Sequence, residues 1–274
     1  MIFSGGIGSW AAAKRVAQCH GTEDLTLLFA DTKIEDADTY RFLREGAANV
    51  GGALVEIAEG RTPWEVFRDE RFLGNHRIDP CSRVLKREVC DCWVAEHCEP
   101  DNTVIYVGID WSEEHRFSRL AARRLPWPYE APLCEAPYLT KGDLHAWAER
   151  EGLQRQWLYR IGAAHANCGG GCVKMGIGGF ARLLKAAPER FAEWEQQEGA
   201  LRAQLGDVAI LTDRRNGDRR PLPLVELRHR IEAGASCDLF DIGGCGCFVD
   251  EPVAAERGAP PPEVVEPQAD GADR

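Results

Sequence analysis

Short apolar runs alternate with amphipathic stretches through the first two-thirds of the chain. "LTLLFADT" (25–32), "ALVEIAEG" (53–60) and "TVIYVGID" (103–110) are compact apolar runs that end in polar or Gly residues, the pattern of buried parallel strands. Between them, "EDADTYRFLREGAANVG" spaces its apolar positions as a helix, with Gly51 and Gly52 as its stop. "TPWEVFRDERF" predicts a short helix, and "CSRVLKREVCDCWVAEHC" has helical spacing too. "TKGDLHAWAEREGL" predicts an amphipathic helix capped by Thr140, with Asp143 three residues on. Strands alternating with helices imply an α/β fold, a doubly wound and mostly parallel sheet that binds ligands at the carboxyl ends of its strands.

Past Gly176 the pattern changes. "FARLLKAAPERFAEWEQQEGALRAQLG" predicts two helical segments broken near Pro188. "VAILTDRRNGDRRPLPL" predicts a hairpin turning at Asn216-Gly217, and "LVELRHRIEAG" a last helix. The tail from Glu251 is rich in Pro, Glu, Ala and Asp and is expected to be disordered. The organisation expected is an α/β domain over 1–180, a small mixed extension over 181–250 that ends in a Cys motif, and the tail over 251–274.

Composition changes this picture in two ways. A net charge of −11 argues against general affinity for nucleic acid. No apolar stretch approaches the ~20 residues of a membrane span, and no signal-peptide layout opens the chain, so a cytoplasmic location without a membrane partner is expected. In a reducing compartment the 11 cysteines suggest metal ligation or redox chemistry more than disulfides. Cys19, Cys98 and Cys134 stand alone and read as small buried hydrophobes. Cys90 and Cys92 point apart on a helix and do not share a metal. Most Trp residues, Trp10, Trp64, Trp93, Trp111 and Trp147 among them, fall on apolar helical faces and read as core.

The chemistry begins at "MIFSGGIGSWAAAKRV" (1–16). A Gly-rich turn between a strand stub and a helix aims backbone N–H groups at one spot, a cradle for phosphate or sulfate. The loop is neither a Walker loop nor a GxGxxG turn. It resembles the SGGxDS loop of the PP-loop superfamily of adenine-nucleotide enzymes, with Ser4, Gly5, Gly6 and Ser9 in place and Gly8 where the family has Asp. That departure leans toward the sulfonucleotide reductases. Only three residues precede the loop, and a start upstream of Met1 is expected.

Further segments resemble the phosphoadenylyl-sulfate (PAPS) reductases in order. "FADTKIEDADTYRFL" is similar to their segment after the second strand. "VGIDWSEEHRFSR" matches at Gly108, Ile109, Glu113 and Arg116, with Asp110 where the family has Arg. "LYRIGAAHANCGGGC" carries Leu158, Tyr159 and Gly162 ahead of a Cys pair. The resemblance covers roughly residues 1–180. It implies an adenine nucleotide (ATP, PAPS or APS) held by Ser4, Gly5, Gly6, Gly8, Ser9, Asp31, Thr32, Gly108 and Glu113, with Lys86 and Arg116 as catalytic cations on phosphate or sulfate oxygens.

Three glycines between Cys168 and Cys172 leave the backbone free to wrap both thiolates round a metal, and Cys81 follows Pro80 at a helix start, where the dipole lowers a thiol pKa. The iron–sulfur branch of the reductases holds a [4Fe–4S] cluster with cysteines at similar places. By that resemblance Cys81, Cys168, Cys172 and Cys245 are the expected ligands, with Cys247 the expected catalytic thiol or, alternatively, itself the fourth ligand. Four thiolates equally suit zinc. The implied function is PAPS reductase-like sulfur redox or transfer chemistry. Its alternatives are an ATP pyrophosphatase that adenylylates a nucleobase or nucleic acid for sulfur insertion, and a non-catalytic nucleotide-binding module with structural zinc. A sulfur or electron donor protein is the expected partner, nucleic acid only under the first alternative, and oligomerisation is left open.

Overall fold

The computed structural model describes residues 1–214, 219–238, 240, 241 and 243. The chain enters through Met1–Phe3 and turns at once into α1 (Ile7–His20). β1 (Thr26–Ala30), α2 (Ala37–Val50) and β2 (Ala53–Ile57) follow, and β1 and β2 pair in parallel from Thr26 opposite Ala53 to Ala30 opposite Ile57. α3 (Pro63–Asp69), α4 (Pro80–Ser82), a π-helical turn (Arg83–Glu88) and α5 (Val89–His97) lead to β3 (Ile105–Tyr106). α6 (Glu114–Arg123) then crosses to β4 (Tyr129–Glu130), parallel to β3.

The two short ladders are stitched together by the first three residues. Ile2 bridges Leu28 in parallel, and its N–H donates to Tyr106 O at 2.9 Å on the other side. Hydrogen bonds therefore run in the spatial order 53–57, 26–30, 1–3, 105–107, 129–130. Because strand side chains alternate between faces, Phe3, Leu27 and Phe29 pack with Trp10, Phe42, Leu43, Leu144 and Ala148 from α1, α2 and α7 (Lys141–Arg150). Ile2, Leu28 and Ala30 face the other way, against Cys90 and Val94 of α5 and Leu120 of α6. The result is a mixed α/β architecture, helices on both faces of small parallel sheets.

α8 (Trp157–Arg160) and the cysteine turn lead into α9 (Ile177–Ala186) and α10 (Pro188–Leu205), separated where Pro188 takes the first position of the second helix. β5 (Leu211–Asp213) and β6 (Arg220–Leu222) pair antiparallel as expected for the hairpin, whose turn at 216–217 lies outside the described residues, and α11 (Leu224–Glu232) follows. These elements build a core of their own with α3. Trp64, Phe67, Phe180, Phe191, Trp194, Leu211, Leu222 and Leu227 enclose Cys168 and Cys172. Glu198 is buried within it, its carboxylate accepting the N–H groups of Ile210 (2.9 Å) and Leu224 (2.5 Å), so one side chain pins both the hairpin and the start of α11 onto α10. α9 spans residue 180, the expected domain boundary. Among the described residues no helix is long and apolar enough to cross a membrane.

Candidate functional site

α1 begins directly from the central strand stub, so its N-terminus opens at the carboxyl end of the sheet. No side chain caps it, its N-cap is Gly6, and no acidic residue stands in its first turn. A helix of this length leaves its first N–H groups without intrahelical acceptors and carries positive partial charge there. Ile7 N–H donates to Tyr159 Oη at 3.4 Å, while Ser9 Oγ binds Gly6 O and receives Ser4 N–H. Gly5, at φ +71°, lets the chain turn in the left-handed region close against Thr39 and Leu43.

That N-terminus opens into a cleft of about 550 Å³. Of the expected nucleotide residues, Ser4, Gly6, Gly8, Ser9, Gly108 and Glu113 line it, and so does Arg116. Gly8 and Gly108 meet backbone to backbone. A Cβ on Gly108 would lie 2.8 Å from Ser9 N and Cα, and one on Gly8 would lie 3.1 Å from Gly108 O. The position where the resembled loop has Asp is thus tight against the neighbouring strand end, and a side chain there needs Gly108 to give by a few tenths of an ångström. Arg116 pairs with Glu113, and Lys141 at the start of α7 donates to Ala164 O and lies 5.7 Å from the Tyr159 ring centroid.

The remaining expected residues lie behind this wall. Gly5 is buried in the loop, and Asp31 is already engaged, accepting Lys33 N–H (2.8 Å), Lys33 Nζ (3.0 Å) and Tyr40 Oη–H (2.7 Å). Burial pushes the Asp31 carboxyl up, but those hydrogen bonds prevail and hold it below its ordinary value. Thr32 donates to Glu35 Oε1 at 3.2 Å. Lys86, carried by the π-helical turn, does not line the cleft: it is buried, with Nζ 3.7 Å from Glu35. Glu35 also accepts the N–H of Cys168. One fully buried carboxylate therefore ties the exit of β1, the π-helical turn and the cysteine turn together.

Cys168 and Cys172 are both buried, their thiols hydrogen-bonded, and that contact together with burial drives the Cys168 pKa well above its ordinary value. Cys81 packs against the same apolar cluster. Lys174 strengthens this juxtaposition: its Nζ lies 3.4 Å from Asp79 and binds His76 O and Arg77 O, strapping the segment before Cys81 onto the segment after Cys172. Among the described residues no group of three or more His, Cys, Asp and Glu side chains is placed to hold a metal. Cys245 and Cys247 lie outside the described residues. The last described positions ahead of them abut the cysteine turn: Asp241 O accepts Gly178 N–H at 2.8 Å, and Gly243 lies against Met175.

Several smaller expectations meet the structure directly. Cys90 is buried and Cys92 exposed, as their opposed directions require. Trp10 is fully buried, edge-on to Trp147, and takes no part in the cleft. Trp111 departs from the expected core role: it is 43% exposed at the cleft lip, because the short turn after Asp110 carries it past the carboxyl end of its strand. Cys19 is exposed rather than buried, being near the solvent end of α1. Lys141, Tyr159, His165 and Asn167 are among the lining residues that the expected ligand contacts did not include. Tyr159 and His165 stood within the "LYRIGAAHANC" segment, whose polar residues after a short helix were the available signal.

No protein-family model and no curated protein matches this sequence.

Proposed function

We propose that the chain is a PP-loop-type enzyme that binds an adenine nucleotide in the 550 Å³ cleft and carries out PAPS reductase-like sulfur redox or transfer chemistry. The observation that carries this reading is the uncapped α1 N-terminus, opening between the strand ends 1–3 and 105–107 into a cleft whose wall continues through Asn167 into the cysteine turn. At a crossing point of this kind a doubly wound sheet takes its ligands. First-turn amides beyond Ile7 and the helix dipole suit phosphate or sulfate oxygens, and Arg116 and Lys141 add charge at the same rim.

Gly8, which offers no carboxylate where the resembled loop has Asp, favours the reductase side of the resemblance over ATP cleavage. In the reductase reaction a cysteine thiolate attacks the sulfuryl sulfur, the S–O bond to the nucleotide breaks, and the nucleotide leaves with its phosphate negative. Cations and amides at the α1 end would stabilise that leaving group. Cys168 and Cys172, in contact with each other, would supply two thiolates to an iron–sulfur centre or a zinc; Cys81, which forms no metal-holding group of three with them, would have to move to join, with Cys245 or Cys247 completing the set. Such a centre would supply redox or electrostatic support beside the sulfur chemistry.

The test is anaerobic purification, assay of iron, zinc and acid-labile sulfide, then incubation with PAPS, APS or ATP and a dithiol reductant, whose thiol displaces sulfite from the Cys–S–SO3− adduct and forms a disulfide. Release of PAP or AMP together with sulfite supports the reductase reading. Pyrophosphate released from ATP only with an acceptor present would move the chain to adenylylation, and zinc without turnover of any nucleotide would leave a binding module.

A further inference from the structure

The segment Ala163–Asn167 joins α8 to the cysteine turn and runs along the cleft, with Ala164, His165 and Asn167 in its lining. Within it the N–H of Asn167 points back at His165 Nδ1, 3.3 Å away. A peptide N–H can only donate, so Nδ1 must offer its lone pair. A neutral imidazole has one N–H proton, which then sits on Nε2. The ring's Nδ1 edge is turned to its own chain, and Nε2 is the nitrogen left for the cleft.

The surroundings keep the ring in that form. Burial disfavours the imidazolium, Lys86 and Lys141 repel it, and Glu35 opposes them only in part, so the pKa is held down to about 4. A general base at this position would need a free lone pair on Nε2, which the Asn167 amide denies it. A cation is denied by the two lysines. What remains is a donor.

Resting on the nucleotide reading above, we propose that His165 is a catalytic residue that touches the substrate as a neutral hydrogen-bond donor, its Nε2–H directed at an anionic phosphate or sulfate oxygen. Asn167 N–H is the positioning group that fixes the tautomer. The role suits a cleft already supplied with charge: a neutral donor adds direction without further repulsion between Arg116 and Lys141. Its hydrogen bond strengthens as negative charge grows on that oxygen, which is how a donor favours a transition state over a ground state.

The experiment is two-bond 15N–1H correlation on full-length protein labelled at histidine nitrogens, at pH 7, without and then with the ATP analogue AMPPNP, using His165→Gln to assign the signal. The expected result is a neutral ring protonated at Nε2 before ligand is added, and movement of the Nε2 resonance on titration. An imidazolium, or a proton on Nδ1, would overturn the proposal. So would an unmoved Nε2 while binding heat shows the cleft filling. His165→Gln keeps an amide donor near the Nε2 position and is expected to bind AMPPNP within about threefold of the wild type. His165→Asn loses that donor and is expected to weaken binding about 10- to 100-fold. Equal loss in both variants, with urea midpoints unchanged, would also overturn it. If neither AMPPNP nor PAP binds the wild type, the nucleotide reading falls and takes the ligand proposed for His165 with it; the tautomer is still read separately, in the free protein.

Discussion

Two glycine-rich turns in this molecule have nearly the same composition and opposite physics. The turn at Ser4–Ser9 uses its glycines to bring backbone against backbone, Gly8 on Gly108, and leaves helix amides facing a cleft. The turn at Cys168–Cys172 uses its glycines to admit bulky side chains. A Cβ on Gly170 would lie 2.5 Å from Leu158, and one on Gly171 would lie 2.1 Å from the Trp194 ring. The first turn is built to present donors, the second to be sealed. Glycine content alone says only that something approaches closely; the neighbours decide whether that is a ligand or a core.

The contrast can be broken from several sides, and the largest effect is expected where the two turns are joined. Glu35→Ala leaves Lys86 buried without its carboxylate and frees the Cys168 amide, and about 3–5 kcal/mol of stability should be lost in urea unfolding. Gly171→Ala should cost about 1–3 kcal/mol by overpacking against Trp194, with any nucleotide binding by the remaining folded protein unchanged. Gly108→Ala should do the reverse. Its Cβ pushes on Ser9, so AMPPNP affinity should fall at least about tenfold by calorimetry while stability drops less than in Gly171→Ala. Equal effects of the two alanines on binding would erase the distinction between the turns.

A pH series sharpens the same comparison. His145 and His165 are both held down to about 4, chiefly by burial, with Lys141 repelling both. Their folded values lie below the ordinary 6.5, so the unfolded chain takes up their protons first. Stability from this source is complete above about pH 6.5 and declines as pH falls toward 4. The urea midpoint should therefore drop between pH 7 and pH 5, and His145→Asn should flatten the slope. The smallest effect is expected at Gln156, whose buried amide has neither oxygen nor nitrogen hydrogen-bonded. Gln156→Met should be neutral or slightly stabilising in the same unfolding measurement.

Where order is local, the sequence pattern already reveals it. The apolar runs become β1 and β2, Thr140 and Asp143 form the reciprocal cap of α7, and Pro188 separates α9 from α10. The Gly-rich loop after the first stub is likewise readable, because its residues are consecutive. Two-residue strands such as β4 carry no periodicity, and α6 was visible only as part of a motif. Pairings across the chain leave no local trace. Lys86 resembles a cation aimed at phosphate until a π-helical turn and Glu35, 51 positions away in sequence, bury it. His165 gains its meaning from an amide two residues on and from lysines contributed by two other elements.

The central claim is that the α1 N-terminus and its cleft hold an adenine nucleotide. Titration calorimetry of the full-length protein with AMPPNP, run beside Gly108→Ala, tests it most directly. Saturable binding near one nucleotide per chain, weakened in the variant, is the predicted result. Absence of binding heat with millimolar AMPPNP, PAP and AMP alike in a folded wild-type protein would contradict the account.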